Sequence, residues 1–173
     1  KQRPKNRVAL PYEDVAHCLD VVRGTDGGKT TKLAIEFLVL TAARSGEVIN
    51  AAWPEVDLKA ATWTIPAERM KAGKEHRVPL SRQAIDILKQ ASDLSDGSDW
   101  VFPSVRGNKP LSDATLRKLI RENGFQVDIH GFRTSFRTWA QEQSNLPSEV
   151  VERALAHTIR NKAEAAYARS DLF

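Results

Sequence analysis

The sequence predicts a mainly helical α+β domain that contains one small, three-stranded antiparallel sheet. Three observations lead to this fold class. Most of the 173 residues show the spacing and the capping signals of helices. The stretch after Pro54 instead shows short alternating segments separated by turn-forming residues. Hydrophobic residues make up 41% of the chain, which can supply the core of a single domain.

Capping and helix-breaking residues place the helices of the amino-terminal part. Pro11 begins the segment PYEDVAHCLDVVRG, which has acidic residues in its first turn and ends at Gly24. We interpret the following TDGGKT as a connector, because its glycine spacing is too short for a phosphate-binding loop and no strand precedes it. The apolar run from Leu33 to Ala43 predicts a buried helix. Ser45 is a suitable cap for the next helix, GEVINAAW.

The middle of the chain predicts the sheet, and the remainder returns to helices. The predicted strands are VDL, TWTIP and HRVPL, with KAGKE as the loop between the last two. Ser81 caps the predicted helix RQAIDILKQA, WVFPS is a short extended segment, and Asp113 begins another helix. The last three predicted helices are GFRTSFRTWAQEQ, PSEVVERALA and NKAEAAYARS. No internal repeat appears, so one domain is the simplest organisation.

The positive charge of the chain is concentrated at its start. The net charge of +4 equals the charge of four basic residues among the first seven, so residues 8–173 sum to zero. These four residues are Lys1, Arg3, Lys5 and Arg7. We interpret residues 1–9 as a basic linker that either lies along a phosphate backbone or is a solvated chain end. Because the first residue is not methionine, we expect the chain to be part of a longer protein.

Composition also excludes some classes of protein. No apolar run approaches the roughly 18 residues that a membrane span needs, and no signal peptide begins the chain, so we expect a cytoplasmic protein. Cys18 is the only cysteine, which excludes an internal disulfide and disfavours a zinc site. A second basic cluster around the predicted hairpin makes nucleic acid a plausible partner. Its candidate contacts are Arg69, Lys74 and Arg77.

An ordered set of basic residues suggests chemistry on a phosphodiester. Attack at phosphorus builds negative charge on the non-bridging oxygens, and guanidinium groups neutralise such charge with paired hydrogen bonds. Arg44 and Arg133 suit this task. The three-residue spacing of His130 and Arg133 places both side chains on one face of a helix. Glu47 lies one turn after Arg44, where its carboxylate could orient that guanidinium.

The remaining members of the set could move protons and supply a nucleophile. A flexible lysine on a hairpin loop, Lys71, could protonate a leaving alkoxide, and His157 could donate a further hydrogen bond to the phosphate. Tyr167 is ionised only about one part in a thousand at pH 7, a cost of roughly 4 kcal/mol that nearby cations and a proton acceptor such as His130 must offset. Fixed cations would replace a metal, so we expect no metal and no cofactor. Each residue taken alone also has an ordinary structural explanation, and the joint pattern favours chemistry.

Four segments together resemble the catalytic domain of the tyrosine recombinases, and specifically the integrases of prophages and genomic islands. They are TAARSGEVINAAW, the hairpin ERMKAGKEHRVPLS, HGFRTSFRTWA and LAHTIRNKAEAAY. The resemblance extends from about Leu10 to the end of the chain, so we expect residues 10–173 to form a catalytic domain. It implies that residues 1–9 follow a DNA-binding region, and that the chain ends shortly after the nucleophile.

The resemblance also implies a role for each residue of the ordered set. The phosphate-activating residues correspond to Arg44, Lys71, His130, Arg133 and His157, the acidic supporting residue to Glu47, and the nucleophile to Tyr167. Lys74 is the alternative to Lys71 as the proton donor.

The reaction implied by the resemblance is the cleavage and rejoining of DNA strands. Tyr167 attacks a backbone phosphate, forms a 3′-phosphotyrosyl link and releases a 5′-hydroxyl, without metal or ATP. A 5′-hydroxyl from a second duplex reverses the step, which integrates or excises a mobile element. The implied partners are double-stranded DNA attachment sites, three further protomers in a tetramer on DNA, and an excisionase or a host DNA-bending protein. We expect this chain alone to be a monomer, and the full protein to associate with the bacterial nucleoid.

Three other functions compete with this interpretation. A type IB topoisomerase uses the same chemistry, although the prophage-like hairpin argues against it. A non-catalytic DNA-binding remnant of an integrase would keep the fold without the activity. A metal-dependent nuclease would lose its activity in chelator.

Overall fold

The sheet and the helical surroundings confirm the predicted fold class. The computed structural model describes residues 8–95, 97–105 and 109–157. Its helices are α1 (Val15–Gly24), α2 (Lys29–Thr41), α3 (Ser45–Ile49), α4 (Arg82–Asp93), α5 (Asp113–Glu122), α6 (Gly131–Gln143) and α7 (Ser148–Ala154). Its strands are β1 (Val56–Asp57), β2 (Thr62–Ile65) and β3 (His76–Pro79), and single 3-10 turns cover Tyr12–Asp14, Trp53–Glu55 and Ala67–Arg69.

The three strands form an antiparallel sheet in the order β1-β2-β3. Trp63 pairs with Val78 and Ile65 pairs with His76, so the hairpin between β2 and β3 has a fixed register. Alternation along β3 then puts His76 on the same side as the buried Val78, whereas Arg77 faces solvent. This register decides which hairpin residues face the interior.

The core lies between the sheet and the central helix α2. Phe37 of α2 contacts Trp63 of β2 with ring centroids 5.3 Å apart, and it contacts Phe102 with centroids 5.5 Å apart. All three side chains are fully buried. Aromatic rings bury large apolar areas, so this group fixes the sheet against α2.

Two predicted elements near the end of α2 differ from the structure. The predicted helix GEVINAAW extends only to Ile49, because Ala52 leaves the helix to form a β-bridge with Trp100. Ser45 is the first helical residue, not the cap. Arg44 occupies the capping position, and the carboxylate of Glu47 accepts its backbone N–H at 2.8 Å.

The start of the described chain is attached to the start of α6. The carbonyl of Val8 accepts the N–H of Asp128 at 3.1 Å, and the hydroxyl of Ser135 donates to the carbonyl of Leu10. A Cβ atom at Gly131 would lie 2.9 Å from Cα of Ala9 and closer still to the Val8 carbonyl. Only glycine therefore lets these two segments cross here.

Within the part of the chain that the structure describes, no helix has the length and apolar character needed to cross a membrane. The predicted helix NKAEAAYARS and the basic residues of the predicted linker up to residue 7 lie outside the described residues.

Candidate active site

Glu47 holds Arg44 by both its backbone and its side chain. One carboxylate oxygen accepts the backbone N–H of Arg44, and the other pairs with its guanidinium at 2.7 Å. Glu47 is only 5% exposed, whereas the side chain of Arg44 is 24% exposed. The second terminal nitrogen of Arg44 donates to the carbonyl of Ala156 at 3.3 Å. Arg44 is thus fixed on one side and still accessible to a ligand on the other.

Arg133 joins the ends of two helices from inside the domain. It projects from α6, is 4% exposed, and donates to the carbonyl of Ala42 and to the carbonyl of Leu155. Ala42 follows α2 in the left-handed conformation, with a φ of 48°, and Leu155 follows the last residue of α7. The Nε atom of Arg133 is buried and has no hydrogen-bond partner among the described residues.

The arginine pair is a site of concentrated positive charge. Burial and the neighbouring charge of Arg44 lower the pKa of Arg133, against the opposite effects of Glu47 and Glu152, to about 10. At pH 7 this guanidinium is still charged, so the folded protein bears the cost of burying it beside Arg44. An anion that binds between the two groups would relieve that cost.

His157 lies beside Arg133 and is held by a carboxylate. Its Nε2 atom is 3.4 Å from a terminal nitrogen of Arg133, and its Nδ1 atom is 2.7 Å from an oxygen of Glu152. The backbone N–H of His157 also donates to the carbonyl of Glu152 at 2.9 Å. The end of α7 therefore brings His157 to Arg133, as Leu155 and Ala156 bring their carbonyls to the two arginines.

His130 lies immediately before α6, one turn ahead of Arg133. Its carbonyl accepts the backbone N–H of Arg133 at 3.2 Å, and its own N–H is 3.5 Å from a carboxylate oxygen of Asp128. Its side chain is partly buried. His130 is thus the N-cap of α6, with helical backbone angles of φ −66° and ψ −22°, and it lies three residues before Arg133.

The two candidate lysines are exposed in the loop between β2 and β3. Lys71 and Lys74 both face solvent. Arg77, on the outward side of β3, is also exposed. Lys71, Lys74 and Arg77 therefore add positive charge to the exposed surface of the hairpin.

Arg69 differs from the other hairpin residues that were candidates for DNA contact. Its guanidinium pairs with Glu55 at 2.6 Å and donates to the carbonyls of Glu47 and Asn50. The same Glu55 oxygen accepts the indole N–H of Trp63 at 3.0 Å. The two terminal nitrogens of Arg69 are thus engaged inside the protein, where they attach the hairpin to the end of α3, whereas its buried Nε has no hydrogen-bond partner among the described residues.

His76 faces the site from β3, although it was not among the site residues predicted from the sequence. Burial lowers the pKa of His76, and the charges of Arg133 and Arg44 lower it further, whereas Glu47 and a hydrogen bond with the backbone of Ala154 raise it. The hydrogen bond with the backbone of Ala154 places the imidazole of His76 against the end of α7. The alternation of HRVPL around the buried Val78 was the signal that could have identified it.

Tyr167 lies outside the described residues, so the site is described without the predicted nucleophile. In the part of the chain that the structure covers, no three metal-ligating side chains converge on a possible ion.

Glu152, like His76, had no role assigned from the sequence. It is the only carboxylate that contacts His157 among the described residues.

Inorganic phosphate is expected to stabilise this domain through the arginine pair. At a free concentration of ten times the dissociation constant, binding adds about 1.4 kcal/mol to the unfolding free energy, which raises the Tm by about 4 °C for a chain of this size. Thermal unfolding in millimolar phosphate measures the shift. The control is Arg44→Gln, which removes one guanidinium and should lose most of the shift. An equal shift in both proteins would show that phosphate acts elsewhere.

Known proteins resemble this chain in sequence and in fold. The family described as "Phage integrase family" matches residues 9–172. Prophage integrase IntA of Escherichia coli is 33% identical over 99% of this chain and 42% of its own length. The integrase of Enterobacteria phage P4 is 34% identical over 92% of this chain and 40% of its own length. The chain therefore spans less than half the length of these relatives.

Solved structures share the fold at lower sequence identity. XerA recombinase has a TM-score of 0.71 and 19% identity, over 98% of this chain and 62% of its own. A lambda integrase dimer bound to a COC′ core site has a TM-score of 0.68 and 18% identity, over 98% of this chain and 62% of its own. A lambda integrase tetramer bound to a Holliday junction has a TM-score of 0.66 and 17% identity, over 93% and 50%.

Proposed function

The chain belongs to the phage integrase family of tyrosine recombinases, and from this premise we propose that it cleaves and rejoins DNA strands as the catalytic domain of a site-specific integrase. The observation that supports the proposal most directly is the pair of fixed cations. Arg44 is held by Glu47, and Arg133 is held by the carbonyls of Ala42 and Leu155. Such preorganised donors stabilise the charge that develops on a phosphate without reorganising during the reaction.

The proposed step is an in-line attack by Tyr167 on a DNA phosphate. The phenolic oxygen forms a bond to phosphorus, its proton passes to His130, and the bond from phosphorus to the 5′-oxygen breaks. Lys71, with Lys74 as the alternative, gives the leaving 5′-oxygen its proton. Arg44 and Arg133 neutralise the non-bridging oxygens, and His157 donates to one of them. The products are a 3′-phosphotyrosyl link and a free 5′-hydroxyl.

Rejoining follows when a 5′-hydroxyl from a second duplex attacks the phosphotyrosyl link. The phosphodiester bond energy is retained in that link, so neither ATP nor a metal enters the proposed reaction. The outcome is integration or excision of a prophage or genomic island. The proposed partners are double-stranded attachment sites, three further protomers, and an excisionase or a DNA-bending protein. Dimeric and tetrameric lambda integrase on DNA support the partnership with DNA and with further protomers.

The domain division belongs to the same proposal. Residues 1–9 connect residues 10–173, the catalytic domain, to a preceding DNA-binding region that makes the other half of a clamp around the site. The fit of IntA over only 42% of its length is consistent with such a division. A full-length protein of this kind would act in the bacterial cytoplasm, on the nucleoid.

A suicide substrate tests the proposal with the full-length protein that contains this chain. The substrate is the attachment site of the element that carries the gene, nicked so that the cleaved end diffuses away. We expect a covalent protein–DNA adduct, and recombinant joints with intact sites. Excess chelator should leave the adduct yield unchanged, because fixed cations replace a metal.

The competing functions give different results in the same assay. Relaxation of any supercoiled DNA without recombinant joints would favour a type IB topoisomerase. DNA binding without an adduct would favour a non-catalytic remnant. Loss of cleavage in chelator would indicate a metal-dependent nuclease and contradict the proposal.

A further inference from the structure

Glu152 lies between two basic side chains and contacts each with a different oxygen. One oxygen is 2.7 Å from Nδ1 of His157, and the other is 2.8 Å from a terminal nitrogen of Arg137. The side chain of Glu152 is 25% exposed, so solvent screens this group only in part. Arg137 lies on α6, one turn after Arg133. The carboxylate thus links His157 to the helix that carries the central arginine.

The two partners of His157 specify the same neutral form of the ring. A carboxylate only accepts hydrogen bonds, so the ring nitrogen beside Glu152, Nδ1, must carry the hydrogen. A guanidinium only donates, so the nitrogen beside Arg133, Nε2, must present its lone pair. Both contacts are satisfied by the Nδ1–H tautomer and by no other neutral form.

This arrangement also fixes the direction of the ring. The backbone N–H of His157 donates to the backbone carbonyl of Glu152, so main chain and side chain hold the residue from the same side. The Nε2 atom is left pointing at Arg133, which belongs to the phosphate-binding pair. A phosphate held by Arg133 would then lie beside the Nε2 edge of the ring, with Glu152 on the far side.

We propose that Glu152 is a positioning residue for strand cleavage: it sets the tautomer and orientation of His157, and Arg137 holds Glu152 in place. The inference rests on the proposed function, since it assigns His157 to the phosphate of the cleaved strand. Glu47 is one carboxylate that positions a phosphate-binding side chain, Arg44. Glu152 would be a second such carboxylate, and it would position His157. The two carboxylates support the site from α3 and α7.

The substitution Glu152→Gln tests the proposal because it keeps the shape and changes the hydrogen bonding. Arg137 only donates, so it should retain the amide oxygen and leave the amide NH2 facing Nδ1. The ring must then accept at Nδ1 and carry its hydrogen on Nε2, opposite a donor of Arg133. We expect nitrogen NMR of the 173-residue chain, at about pH 8.5 where an ordinary histidine is neutral, to show the Nδ1–H form in the parent and the Nε2–H form in the variant.

The effect of Glu152→Gln on the rate of strand cleavage should depend entirely on His157. In the full-length protein we expect Glu152→Gln to slow adduct formation about tenfold, as loss of a carboxylate that orients a histidine commonly does. In a His157→Ala background the same substitution should have no further effect. Glu149→Gln, at the other end of α7, makes the same charge change and should leave the rate unaltered.

The outcomes separate this inference from the proposed function. An unchanged tautomer, or an equal loss of rate from Glu152→Gln with and without His157, would overturn the positioning role. A parent protein that forms no adduct would contradict the proposed function, whereas the tautomer measurement would still test the contact between Glu152 and His157.

Discussion

Replacing Tyr167 with phenylalanine is expected to abolish the covalent adduct with DNA. The change removes one oxygen atom and leaves the ring, so it deletes the nucleophile with little change of shape. Without that hydroxyl no phosphotyrosyl bond can form, and the yield on a suicide substrate should fall below detection. Binding to the same duplex should stay close to that of the parent, because the cationic groups remain. Denaturing gels measure the adduct, and gel shifts measure binding.

The chain offers one matched control for this substitution, because it contains only two tyrosines. Tyr12 lies in the 3-10 turn before α1, where its hydroxyl accepts a hydrogen bond from Gln143 at 2.9 Å. Tyr12→Phe removes only that exposed bond, so it should change the stability little. It should leave the adduct yield unchanged. An adduct that persists in Tyr167→Phe, or one that disappears in Tyr12→Phe, would show that the nucleophile is wrongly assigned.

Replacing Arg133 with alanine is expected to damage both the fold and the reaction. The carbonyls of Ala42 and Leu155 would lose their donor, and the buried side chain would leave a cavity. Unpartnered buried groups and cavities together should lower the free energy of unfolding by about 2–4 kcal/mol. Strand cleavage should fall by about 10²–10³-fold, as for the loss of one donor to a developing charge.

A second substitution separates these two losses. Arg133→Lys keeps a positive charge, but its ammonium lacks the planar fork that reaches two carbonyls and a phosphate. It should regain part of the stability and little of the cleavage. Urea unfolding and the initial rate of adduct formation measure the two effects at one temperature, chosen below the unfolding of every variant.

Arg117→Ala is the control for losing an arginine. Arg117 forms an exposed ion pair with Asp113 on α5, and such pairs contribute at most about 1 kcal/mol. Its unfolding and cleavage should match those of the parent. If Arg133→Ala were as stable and as active as this control, Arg133 could not be the buried centre of the site.

The secondary structure could be predicted from local sequence patterns wherever no tertiary contact opposes them. The alternation of TWTIP and HRVPL predicted β2 and β3, and Ser81 caps α4 as its sequence position indicated. The prediction failed where a tertiary contact overrode the local pattern. GEVINAAW has the composition of a longer helix, but the bridge between Ala52 and Trp100 ends it at Ile49.

The candidate site could be predicted as a set of residue types but not as a network. The spacing of Arg44 and Glu47 is local, and the structure brings the two into contact as that spacing indicated. Arg69 belonged by charge to the exposed basic cluster, yet its guanidinium is used by Glu55 and by carbonyls of α3. Glu152 carried no distinctive signal, because its role depends on Arg137 of another helix as well as on His157, and only the alternation of HRVPL pointed to His76.

The residue types in the chain were enough to predict chemistry on a phosphate. The types and order of Arg44, Arg133 and His157 are given by the sequence. Guanidinium and imidazole groups can donate hydrogen bonds to phosphate in any fold. The groups that hold these side chains could be identified only in the folded chain. The carbonyls that bind Arg133 come from Ala42 and Leu155, which lie 91 and 22 residues away along the chain. Such contacts form when helices pack, and no local pattern encodes them.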